Sequence, residues 1–233
     1  MTSFLVGIAQ KEGILNINNK TSTYLGMGWA SLPLAKENLI IVKHQLTMTT
    51  GINFKVPDLD CTTPSCLQYG ADAGTQWFYH NATYTLLEKV VANAAGKTYN
   101  TYTNEKLESK IGMSGTWTPI GSNNVYFSTA RDIARFGLLN LNKGKWENNK
   151  VLNDDDYFTS MTSTSQNLNP SYGYLWWLNG KSSIIFPSLS NLFSRSLKTN
   201  APADLFAALG KNGQFIDVIP SKNLVIVCMG DAS

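Results

Sequence analysis

Three short apolar runs, Leu205–Leu209, Phe215–Ile219 and Leu224–Met229, are separated by short links that hold the turns Gly-Lys-Asn-Gly and Pro-Ser-Lys-Asn. Links this short cannot make the dozen-residue crossover that parallel strands need, so the runs must be neighbouring antiparallel strands. A meander of this kind has one face to bury, and the rest of the chain must supply the layer that covers it. Tyr172–Leu178 (YGYLWWL) reads as a further strand, and residues 180–204, rich in Ser, Pro and Asn, as a long surface loop.

The covering layer is helical. Residues 3–11 (SFLVGIAQK) are apolar on nearly every side, the mark of a helix buried within a protein. Because this helix starts two residues from Met1 with no capping segment before it, the sequence is expected to begin inside a larger fold. Residues 41–50 form a short helix stopped by Gly51, and a polar loop with Pro and Cys covers 52–76. A helix from about Ala82 to Ala95 presents Tyr84, Leu87, Val90, Val91 and Ala94 on one face and closes at Gly96. Another helix is expected over 101–111. An amphipathic helix over 128–141 takes Ser128 as N-cap and turns Ile133, Phe136, Leu138 and Leu139 inward. The fold class is α+β: one domain over 1–233, mainly helical across 14–165 and an antiparallel sheet across 170–233, with no internal repeat.

Composition removes several function classes. A net charge of +3, with Lys and Arg scattered, leaves no nucleic-acid footprint. No apolar run approaches the roughly 20 residues that span a bilayer. MTSFLVGIAQKEG lacks the basic start and the cleavage site of a signal peptide. Cys61 and Cys66 flank Thr-Thr-Pro-Ser. With only His44 and His80 to help, they do not make a zinc site, so neither metal nor cofactor is expected. The pair fits a small-loop disulfide, which implies an exported protein, or two reduced thiols in a cytosolic loop. Cys228 reads as a buried small hydrophobe. G-x-S-x-G, H-E-x-x-H, the Walker loop and G-x-G-x-x-G are all absent.

What remains is a Tyr-x-Asn triplet, Tyr79-His80-Asn81, at the junction of the long loop and a helix. On its own it also reads as a helix cap with a tyrosine packed at its base. A second triplet, Tyr102-Thr-Asn104, follows a helix end in what looks like ordinary surface. The order of segments resembles the class C serine β-lactamases, the penicillin-binding peptidases and their esterase and amidase relatives. The resemblance lies in residues 3–25, 40–52 (IIVKHQLTMTTGI), 78–87 (FYHNATYTLL), 123–146 (NNVYFSTARDIARFGLLNLNKGKW), 171–177 (SYGYLWW) and 208–227 (ALGKNGQFIDVIPSKNLVIV).

That resemblance implies a helical subdomain packed against an antiparallel sheet, with the cleft between them, and acyl transfer from an amide or ester substrate, small molecule or peptide. It makes Tyr79 a proton shuttle whose pKa is depressed by a neighbouring Lys, and Asn81 its polar partner. His80 holds a position that varies in the family. The resemblance also shows where the chain departs. No Ser-x-x-Lys occurs in the 233 residues, so the nucleophile and general base of the family are expected upstream of Met1, and this chain is expected to be inert alone. The family's closing C-terminal helix is likewise missing, and surfaces left open invite self-association. Two registers place the family's Lys-Thr-Gly strand: Lys211-Asn-Gly213, or Ala208-Leu-Gly210 with the Lys-Asn-Gly-Gln turn beyond it. The second keeps the triplet on the strand and removes a carboxylate-binding lysine. The substrate-binding set is thus Gly210, Lys211, Gly213 and Gln214. A rival reading is a non-catalytic protein that holds a peptide or cell-wall fragment in the same cleft.

Overall fold

A computed structural model describes residues 1–230. Helix α1 (Thr2–Lys11) is buried from Thr2 to Ala9, as its unbroken apolar surface requires. Three single turns follow, α2 (Ser22–Leu25), α3 (Leu34–Glu37) and α4 (Val42–Leu46). The last is shorter than the 41–50 expectation, because Met48 takes a φ of 60° and turns the chain away. Helix α5 (Asn81–Ala95) buries Leu87, Val90 and Val91 and ends on left-handed Gly96. The run α6 (Tyr99–Thr103), a π-helical turn (Asn104–Glu108) and α7 (Ser109–Ile111) extends the expected 101–111 helix at its start.

A hairpin not expected from sequence, β1 (Gly115–Ile120) with β2 (Asn123–Ser128), leads into α8 (Ala130–Leu141). Ser128 is the last residue of β2 and does not cap α8. The cap is Thr129, whose Oγ1 accepts from the Asp132 amide at 3.2 Å. The small hairpin β3 (Lys145–Trp146) with β4 (Asn149–Lys150) and helix α9 (Asp155–Met161) complete the helical layer.

The sheet is β5 (Trp177–Leu178), β6 (Phe206–Leu209), β7 (Phe215–Ile219) and β8 (Leu224–Cys228), antiparallel in that order. Of the expected strand 172–178 only the last two residues join the ladder. Leu175 has a φ of 58°, and the segment folds back so that Tyr172 bridges Trp177. One face of the sheet, with Phe206, Ile216, Val218, Val225 and Val227, shares a core with α1, α5 and α8. Phe4 meets Phe136 edge-on at 5.7 Å within it, a pair worth ~1 kcal/mol beyond its buried area. Two glycines permit these approaches. A Cβ on Gly7 would lie 2.5 Å from the Tyr157 ring, and one on Gly137 would lie 2.4 Å from Val225 Cγ1.

The opposite face carries a second core of Met48, Trp77, Tyr172, Trp177, Ala207 and Ile219, closed by Ile184, Ile185 and Leu197. Residues 180–204 are therefore irregular, as expected, yet more than a surface loop. Asn179 Nδ2 donates to the carbonyls of Lys198, Ala201 and Pro202, and Lys198 pairs with the buried Asp217. Three further expectations fail on which way a side chain faces. Cys228 is exposed on the outer side of β8, Leu138 is 41% exposed on the far side of α8, and Tyr102 is 1% exposed in the helical core.

Candidate active site

The loop entering α5 is fixed before the helix begins. The Phe78 amide donates to the Met48 carbonyl at 3.1 Å, and the Ala82 amide, otherwise unpaired in the first helical turn, donates to the Leu59 carbonyl at 2.9 Å. Between these anchors Tyr79 stacks on Trp177 of β5 with ring centres 5.7 Å apart. It meets Tyr172 edge-on at 6.2 Å and Tyr84 of α5 at 5.7 Å. Leu209, at the end of β6, packs on the same aromatic cluster. The start of α5 and the end of β6 thus meet around one aromatic wall at the junction of the two layers.

Tyr79 is half-buried, and burial pushes its phenol above the ordinary value, with Tyr84 beside it adding to the shift. The depressed pKa expected from a neighbouring lysine is not found, because no lysine of this chain reaches the ring. Burial likewise pushes Tyr84 up to about 12, helped by the negative charges of Asp60 and Glu88.

Asn81 is the first residue of α5, with His80 as its N-cap. Its amide turns to the preceding loop: Nδ2 donates to Asp60 Oδ1 at 2.5 Å. Asp60 adjoins Cys61, which is bonded to Cys66 with Cα atoms 6.0 Å apart, so a closed loop holds the carboxylate against the helix. His80, between the two motif residues, is 3% exposed and packs inward. Neither of its ring nitrogens has a hydrogen-bond partner. Burial holds its pKa below the ordinary value, opposed by the Asn53 backbone and by the charge of Asp60.

The strand end shows where the residues of the two registers lie. Ala208 and Leu209 belong to β6, Leu209 pairs with Phe215, and Lys211–Gly213 form the turn. The Gly210 amide donates to the Gln214 carbonyl at 2.6 Å. Gln214 Nε2 donates to the Gly230 carbonyl at 2.8 Å, which ties its side chain to the segment just past β8. Lys211 is exposed at that tip. Gly210 therefore directly follows Leu209 at the end of β6, whereas Lys211, Gly213 and Gln214 lie in or just past the turn.

Sequence reasoning missed Glu88. It is 8% exposed on α5, one turn beyond Tyr84, and accepts from Asn124 Nδ2 at 2.5 Å. Burial raises its carboxyl to about 7, against the lowering influence of that hydrogen bond and of the chain's amino terminus. The signal was present: Tyr84, Leu87, Glu88 and Val91 follow the apolar stripe of the helix, and an acid on such a stripe is an anomaly. A shallow cleft of ≈ 300 Å³ opens beside it, lined by Thr62, Thr85, Glu88 and Tyr99 among others; Tyr79 does not line it. Among the described residues no helix is long and apolar enough to cross a membrane.

Known structures share this fold. A putative beta-lactamase from Bacteroides dorei superimposes with a TM-score of 0.69 at 14% identity, covering 99% of this chain and 75% of its own. A putative 6-aminohexanoate-dimer hydrolase from Bacillus anthracis gives 0.71 at 17%, covering 97% of this chain and 64% of its own. A D-stereospecific amidohydrolase from Streptomyces gives 0.66 at 14%, covering 97% and 77%. At such identities the likeness speaks for the fold, and this chain spans only part of each structure. No curated protein matches the sequence. The beta-lactamase family profile matches residues 1–230, and the chain belongs to the beta-lactamase family.

Proposed function

We propose that the aromatic wall around Tyr79 is one side of a serine-hydrolase cleft that holds an amide or ester for acyl transfer. The observation that carries this is the stacking of Tyr79 on Trp177, which sets the Tyr-x-Asn tyrosine where the helical layer meets the end of β6. In this reading Tyr79, its proton held by burial, donates to a leaving group, and Asn81 fixes the entry of α5 through Asp60. Since the 233 residues contain no Ser-x-x-Lys, the chain alone binds and does not turn over. The position of Lys211 in the turn leaves no lysine on the strand for a substrate carboxylate, which favours linear esters and amides over β-lactams. A D-stereospecific amidohydrolase and a putative 6-aminohexanoate-dimer hydrolase among the structural neighbours agree with that class. The Cys61–Cys66 bond fits an exported protein.

The missing Ser-x-x-Lys motif equally favours a non-catalytic holder of peptide or cell-wall fragments. Either reading requires ligand at the wall. Titration with a small aromatic ester should quench indole fluorescence through Trp177 and Trp77, and Tyr79→Ala should weaken binding about tenfold. Unchanged affinity in Tyr79→Ala places the ligand elsewhere and removes the cleft.

A further inference from the structure

We propose that a second cavity, separate from the Tyr79 wall, binds a small carboxylate that carries a hydroxyl or amide N–H donor at its far end. The cavity, ≈ 240 Å³, opens where the last turns of α8 and α9 meet the end of β5 and the start of β6. Neither Tyr79 nor Tyr84 nor Trp177 lines it. Leu178 and Phe206, which do, belong to the core shared with α1, α5 and α8, whereas Trp177 belongs to the core on the opposite face of the sheet. At this volume it suits a ligand smaller than a drug-sized molecule.

The lining defines the ligand. Phe158, Leu178 and Phe206 are buried and give it an apolar body to hold. Asn140, also on the lining, is 1% exposed, and its Nδ2 donates to the Phe136 carbonyl at 2.8 Å, which fixes the way the amide faces. Its Oδ1 is buried with no hydrogen-bond partner among the described residues. A buried acceptor left unpaired is costly, so a ligand that brings it a proton donor gains more than from a surface contact. Lys143 is exposed and Lys181 half-buried on the same lining, and neither enters an ion pair among the described residues. The one acid there, Asp204, is already engaged, accepting from the Ser221 amide at 2.6 Å and from its hydroxyl at 2.8 Å. Two unpaired cations against one engaged carboxylate suit an anion. The negative ends of α8 and α9 lie at the cavity, which favours a donor beside Asn140 and leaves the carboxylate outward with the lysines. An ammonium beside Asn140 would be buried with no free anion, so the donor is neutral.

Three probes of one shape separate the contributions: 4-hydroxyphenylacetate (donor and charge), 4-methylphenylacetate (charge alone) and 4-hydroxyphenylacetamide (donor alone). Titrations of the isotope-labelled chain, followed by NMR amide shifts, give both affinity and location. 4-Hydroxyphenylacetate should move the Leu141, Lys143, Lys181 and Ala203 amides and leave those of Tyr79 and His80 in place. It should bind roughly fivefold tighter than the methyl analogue and about tenfold tighter than the acetamide. Lys143→Met combined with Lys181→Met should erase the advantage over the acetamide. The comparison with the methyl analogue uses the unaltered chain, so it does not depend on how a variant folds. Absence of shifts at the cavity, equal binding of either analogue, or an advantage over the acetamide that survives loss of both lysines overturns the proposal. Shifts centred on Tyr79 also overturn it, by placing the ligand at the wall, and leave the proposed cleft standing.

Discussion

Replacing Glu88 with glutamine should make this protein more stable, but only above mildly acidic pH. In the folded state the carboxyl titrates at about 7, against an ordinary value of 4.5, chiefly because it is buried. A raised folded pKa means that the native state binds the proton more tightly than the unfolded chain. No penalty exists below about pH 4.5; it grows as pH rises towards 7 and is constant above. The gap corresponds to about 3 kcal/mol at pH 8, an upper figure because local relaxation admits water. Glutamine keeps an acceptor for Asn124 and has no charge to bury. Urea unfolding of both proteins from pH 4.5 to 8.5 should show coincident midpoints at the acid end and a widening advantage for Glu88→Gln. A difference that stays flat across the range, or favours the parent at pH 8, refutes the assignment of a buried, reluctantly ionised carboxyl.

Other consequences concern how the wall is held. Gly137→Ala should destabilise by about 1–2 kcal/mol despite the better helix propensity of alanine, since the new methyl meets Val225 Cγ1. Adding Val225→Ala should recover much of that loss in a double-mutant cycle, and additive effects would refute the contact between α8 and β8. Removing the Cys61–Cys66 bond with paired serines should cost about 2 kcal/mol from the small loop it closes. It should also speed hydrogen exchange at the Ala82 amide, which is bonded to Leu59 beside that loop; unchanged exchange there separates the bridge from the helix entry. Lys198→Met should leave Asp217 buried without its cation and lower stability by roughly 3 kcal/mol, measured by urea midpoint.

How much of this was legible in the chain depended on whether a residue's surroundings are local. The meander was readable because links of four or five residues leave one pairing geometry, and α1 because its apolar surface admits only burial. The β1–β2 hairpin was hidden because it is largely solvent-facing, so the alternation that marks a half-buried strand is faint. Tyr102 seemed an ordinary surface residue among threonines and asparagines. It turns inward because α6 starts two residues earlier than expected, and its hydroxyl reaches Glu12 across 90 positions of sequence. Cys228 and Leu138 belong to apolar runs, and only the partner element decides which side of a strand or helix is covered. At the candidate site, Tyr79 and Asn81 were singled out by family resemblance. The raised pKa of Tyr79 and the Asp60 anchor were not, since both arise from tertiary packing.

The central claim is that these 233 residues carry the tyrosine wall of an acyl-transfer cleft without its serine nucleophile. Intact-mass measurement after incubation with a fluorophosphonate, and separately with benzylpenicillin, tests it most directly. The mass should be unchanged with both reagents, whereas one stoichiometric adduct mapped to a serine of this chain would contradict it.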